Sequence, residues 1–347
     1  MNKLEKRHFK LFTSGYGNNN NYIRLFDTIN KQVVYNEKKI LDKFKGETFA
    51  KQLHVLKNYL YHLILKSLRS YNSEDRINNK IRSLLDNYEI VYDKKLYHQA
   101  EKILSKAKTL AREHEHFPYA LEISNIEENM VRNKYDLEKL EEQYEVIYQD
   151  QKTLIKKFVN RQEYQKLHNA LALLQKKKGR PRNSNDLDLY KNILNHPLYN
   201  DVSEALSDSA VGSFYSSHVL FNHLTGNRKK SLDFLNRQIS FIEDGPQRKA
   251  RFLDDLIIIM GNRITISRGV VTIPETIEFI NELKSIYEQS SPKNEMALTL
   301  YYLYRLDFLC LNGLFHEAQD VAKEAERWIS KIAVVTAIGN AEIRLYS

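Results

Sequence analysis

The stretch LYHQAEKILSKAKTLA, residues 96–111, decides the fold. Ala100, Leu104 and Ala107 recur at steps of four and three, the spacing that aligns side chains on one face of an α-helix. Two of the three are alanine, and a face of methyl groups suits the close approach of a second helix. The same arrangement returns in LFHEAQDVAKEAERW, residues 314–328, as Ala318, Ala322 and Ala325. Gly313 supplies a turn before it, and Tyr302, Leu306 and Leu309 give the preceding helix an inward face.

Fainter copies occupy Ser231, Leu235 and Gln238, after Gly226, and the surroundings of Ile280 and Leu283. This spacing resembles the tetratricopeptide repeat, with units of roughly 38 to 45 residues against the usual length of about 34. The Trp, Leu-Gly and Pro positions of that pattern are mostly missing, so the repeats are degenerate. With its KRHFKLF start (residues 6–12) and KNYLYHLILKSLRSY helix (57–71), the chain as a whole resembles uncharacterised bacterial proteins of tetratricopeptide-like type. The resemblance implies an all-α fold, an α-solenoid of antiparallel helix pairs forming a right-handed tetratricopeptide-like superhelix. It also implies an interaction role, and it brings no catalytic residues to carry over.

Composition points to the same class. The 347 residues include 15 Phe, 22 Tyr, 11 Gly and 6 Pro and are 42% hydrophobic, enough for a core and too poor in turn residues for an all-β chain. Neither a signal-peptide pattern nor an apolar run of about 18 residues is present, so a cytoplasmic protein without a membrane segment is expected. The single cysteine, Cys310, falls within LYYLYRLDFLCLNGL and is read as a small packing residue.

Along the chain, Phe49, Leu53, Leu56, Leu60, Ile64 and Leu68 form a stripe on one helix of about 25 residues. That helix closes an N-terminal helical region, 1–72, which packs on or caps a repeat array, 73–347. Pro118, Pro274 and Pro292 are placed in first helical turns, and Thr272 with Glu275 and Asp201 with Glu204 have capping-box spacing. A break at Asn133–Asp136 leads into a long helix ending near Lys178, and Asn183 or Ser184 caps the next.

Charge is uneven. Residues through Arg182 hold 36 Lys and Arg against 23 Asp and Glu, a net +13, whereas the remainder carries −4. The segment KKKGRPR, 176–182, resembles an AT-hook, but its helical flanks and single copy read as a basic inter-helix loop. Lys152, Lys156, Lys157, Lys176, Lys177, Lys178, Arg180 and Arg182 are the candidate patch for an anionic partner.

Enzyme signatures are scarce. GYG at Gly15–Gly17 follows no strand, His114 and His116 diverge if still helical, and so do His218 and His223. The pairs Glu127-Glu128 and Glu141-Glu142 have solvent-facing spacing. No catalytic, metal or cofactor residue is therefore assigned. Tyr59, Tyr61, Tyr301, Tyr302 and Tyr304 divide between core and binding surface. The expected function is a non-catalytic scaffold holding a protein or peptide in a solenoid groove; the alternative is a nucleic-acid-associated protein using the basic segment 152–182.

Overall fold

Apolar faces at helical spacing must be buried against other helices, and the computed structural model shows how. It describes residues 1, 3–14, 21–32, 34–72, 77–132, 137–291 and 293–330. Among them there are sixteen α-helices and no strand. Two compact units divide at Glu141 and Glu142, just inside the eighth helix.

The first unit contains α1 (Lys3–Ser14), α2 (Asn21–Asn30), α3 (Glu37–Lys43), α4 (Leu53–Asn72), α5 (Ile77–Asp93), α6 (Tyr97–Glu113) and α7 (Phe117–Arg132). Helices α1 and α2 pack on α4, and Phe9, Leu25, Ile40, Leu53, Leu60 and Leu63 gather as their core. The stripe expected on one long helix is thus shared with Leu63 and Ser67. The helix itself starts at Leu53, because Thr48–Gln52 forms a 3-10 turn. Ala100, Leu104 and Ala107 are buried where α6 packs on α5.

The second unit contains all but the first turn of α8 (Leu137–Lys178), with α9 (Ser184–Leu194), α10 (Asp208–Leu224), α11 (Arg228–Glu243), α12 (Pro246–Arg251), α13 (Leu253–Ser267), α14 (Ile273–Gln289), α15 (Glu295–Leu311) and α16 (Phe315–Ile329). Neighbours pack in pairs, α10 with α11, α13 with α14 and α15 with α16, and α11 in turn packs on α13. Ser231, Leu235 and Gln238 are buried on α11, and Ile280 and Leu283 on α14. Tyr302, Leu306 and Leu309 of α15 are buried, as are Ala318, Ala322 and Ala325 of α16. Cys310 is half-buried beside this last cluster.

Four inter-helix turns share one backbone device. Lys95, Glu115, Gly226 and Gly313 each have φ between 52° and 82°. The next residue's amide reaches back five positions: Leu96 to the Val91 carbonyl, His116 to Ala111, Asn227 to Asn222 and Leu314 to Leu309, at 2.8–3.2 Å. This is the Schellman closure, which satisfies a carbonyl left over at the helix end.

Other starts and stops follow local chemistry. Pro118 and Pro274 lie in the first turns of α7 and α14, whereas Pro292 and the break at Asn133–Asp136 lie outside the described residues. Thr272 and Glu275 form a reciprocal capping box. At Asp201 the expected box is only half made: its carboxylate accepts from the Ser203 amide, and a three-residue 3-10 turn follows instead of an α-helix. With Glu204 ending that turn, no further helical turn brings its side chain back.

Candidate interaction groove

Helix α8 ends at Lys178, and the loop after it is tied down on both sides. Gly179, at φ +70°, donates its amide to the Gln175 carbonyl and accepts at its own carbonyl from buried Tyr190 Oη, at 2.7 and 2.6 Å. Lys178 Nζ pairs with Asp186 Oδ1 at 2.7 Å, the Arg182 amide donates to the same carboxylate, and Asn183 caps α9. These donors hold the Asp186 carboxyl below its ordinary pKa, Lys178 first. Within KKKGRPR, Lys176, Lys177 and Lys178 form the last turn of α8, and Gly179, Arg180, Pro181 and Arg182 lead to the cap of α9. Among the eight candidate basic residues, Lys157 and Lys176 are nineteen helical steps apart on α8, about 29 Å. All eight side chains are exposed.

A concave surface lies beside this loop, within the second unit. Two cavities of about 430 Å³ each share His168, Ser216, Gln238, Ile259 and Asn262 and so form one groove. Three helices wall it, each with one helical face: Gln165, His168, Ala172 and Gln175 from α8; Ser209, Gly212, Ser216 and His223 from α10; and Asp255, Ile258, Asn262 and Thr265 from α13. Helix α11 supplies the floor with Leu235 and Gln238. The Gln238 amide donates to the Gly212 carbonyl and the Ser216 hydroxyl, which fixes the floor to α10.

One residue in this wall has its chemistry set by hydrogen-bond accounting. Ser217 Oγ donates to the Ser213 carbonyl at 2.8 Å and accepts from Tyr199 Oη at 2.8 Å. Its only hydrogen is spent, so His168 Nδ1, 3.1 Å away, must be the donor to it. Nε2 of His168 is then an acceptor. A serine nucleophile with a histidine base requires the reverse direction, and Ser217 is fully buried. The contact is structural, and it fixes the tautomer of a groove residue.

Burial lowers the pKa of His168, His218 and His223. His218 stacks on Phe234 at 4.5 Å and packs against Phe214 and Tyr199; the Tyr199 carbonyl partly offsets the lowering. For His223, the positive charges of Arg180 and Arg228 add to burial. Asp255 moves the other way, raised first by partial desolvation against the groove wall and then by the charge of Asp254.

His114 and His116 fall where a helix does end, on either side of Glu115, yet no cluster of three metal-ligating side chains occurs among the described residues. Gly15–Gly17 lie outside them. Tyr301 and Tyr302 are buried, whereas Tyr59 and Tyr61 are about half exposed on the first unit. No described helix is long and apolar enough to cross a membrane. No protein-family model, curated protein or solved structure matches this chain.

Proposed function

We propose that this chain is a non-catalytic interaction scaffold whose second unit is a degenerate helical-repeat array of the α-solenoid kind, holding an extended segment of a protein or peptide in the α8–α10–α13 groove. The observation that carries the reading is the groove's lining. Gln165, Gln175, Ser216, Asn262 and Thr265 place amides and hydroxyls along a channel that also exposes Ile258 by half. Amide side chains both donate and accept, as a peptide backbone does, and an exposed isoleucine offers a contact for one apolar side chain. His168 on the groove wall bonds buried Ser217 in the direction opposite to the one a nucleophilic serine needs.

The test is capture from a nuclease-treated lysate by the wild type and by Ile258→Arg, which alters an exposed side chain and leaves the core untouched. Proteins retained by the wild type and lost in an equally stable variant support the reading. Retention of the same proteins by both overturns it. Material that disappears on nuclease treatment transfers the function to nucleic acid and to the basic segment 152–182, with the steep salt dependence expected of phosphate contacts.

A further inference from the structure

The groove has a direction. Helices α8, α10 and α13 contribute their earlier residues, Gln165, Asp208 and Asp255, to one cavity and their later ones, Gln175, His223 and Thr265, to the other, so all three run the same way along it. From Asp208 to His223 is fifteen helical steps, about 22 Å, and from Asp255 to Thr265 ten steps, about 15 Å. An extended chain of about five or six residues fills that length at about 3.3 Å per residue.

Charge differs between the ends. At the early end Asp208 is held by Arg251 and Arg248, while Asp255 has no basic partner among the described residues and follows Asp254, whose carboxylate accepts from Asn294. At the late end two arginines stand on the connections that leave it: the Gly179 amide, just before Arg180, donates to the carbonyl of the groove residue Gln175, and the Gly226 amide, two residues before Arg228, donates to that of His223. Arg180 follows the C-terminus of α8 on the loop pinned by Tyr190, and exposed Arg228 opens α11 and donates to the carbonyl of Arg268, the cap of α13, at 2.8 Å. The positive charges of Arg180 and Arg228 follow burial among the causes that lower the pKa of His223, the last groove residue of α10. The three helix C-termini there carry about half a negative charge each, but capping hydrogen bonds absorb much of it, and Lys176 and Lys177 add further cations.

We infer, building on the groove reading above, that the occupant is an unstructured peptide of about six residues bound in one orientation, with a carboxylate end at Arg180 and Arg228 and its amino end at Asp255. The GRPR loop thereby acquires a role that neither a plain connection nor a DNA hook describes: it closes one end of the groove and reads the ligand's negative charge. Guanidinium groups suit this, since their fork matches a carboxylate.

The experiment uses the immobilised full chain and random hexapeptide mixtures made in four forms: free ends, N-acetylated, C-amidated and doubly blocked. Retained peptides are counted by mass spectrometry. The free-ended pool should be retained about tenfold over the C-amidated one, with any survivors of amidation enriched in Asp and Glu at their last positions. Arg180→Gln with Arg228→Gln should erase the discrimination against amidation, and Asp255→Asn should erase that against acetylation; both change exposed side chains, and melting temperatures confirm the fold. Equal retention of all four pools overturns the orientation and leaves the groove standing. Retention of no pool overturns both.

Discussion

Three half-buried histidines in one unit give this protein a stability that falls as pH drops through the range of histidine titration. His168, His218 and His223 all have folded pKa values lowered by burial. As pH falls below the unfolded value near 6.5, the unfolded chain takes up protons that the folded chain refuses, so stability is present above that pH and lost below it. Each histidine contributes at most about 1.4 kcal/mol per pH unit, and three set a limit near 4 kcal/mol per unit while all stay neutral in the fold. That is a large share of a typical total of about 5–15 kcal/mol. Carboxylates held low by their partners, such as Asp186, Asp201 and Glu275, lose their contribution only in the acidic carboxylate range. Asp255, raised by partial desolvation, works with the opposite sign and softens the effect. Urea unfolding followed by helical circular dichroism at pH 7.5, 6.5 and 5.5 reads the slope. His218→Phe, placing a phenyl ring among Phe214, Phe234 and Tyr199, should reduce the slope by about a third and remove the unpartnered Nε2. A midpoint that does not move between pH 7.5 and 5.5 would refute the reasoning.

Two further substitutions test the packing. Gly261→Ala within α13 would ordinarily stabilise a helix by up to about 1 kcal/mol, but the added Cβ falls 2.9 Å from Tyr304 Oη and 3.0 Å from its ring, so a net loss of about 1–2 kcal/mol is expected in thermal unfolding. Combining it with Tyr304→Phe should recover part of that loss, and a stabilised single variant would show that the ring yields freely. Lys95→Gly relieves a left-handed backbone at φ 62° and should raise the stability of the first unit by about 0.5–1 kcal/mol; no gain would mean that the freer unfolded chain cancels the relief.

Much of the helical layout was legible before any coordinates. Ala100, Ala107, Ala318 and Ala325 stand at helix contacts because close approach admits only small side chains, and that requirement is written in their spacing. The end of α8 at Lys178 and the Asn183 cap were equally local. Lys95 and Glu115 were missed as turn residues because glycine is the usual signal for a left-handed position, and the same closure here is made without it. The full groove wall was missed for another reason. Gln165, Ser216 and Asn262 lie on three helices about fifty residues apart, and each alone looks like an ordinary solvated position. The available hint was the spacing of polar residues such as Asp255, Asn262 and Thr265, at steps of seven and three opposite an apolar face, which marks an exposed side without saying what it faces.

The sequence by itself determined the class, the helices and most of their buried faces, because helix periodicity, caps and turn chemistry act over a few residues and leave their record in order along the chain. Only the tertiary structure decided that His223, on the groove wall, feels the charges of both Arg180 and Arg228 from two different connections. It also decided that His168 donates to Ser217. Those relations depend on which helix packs beside which and at what stagger, and that is set by the summed fit of many buried side chains, a quantity no local pattern contains.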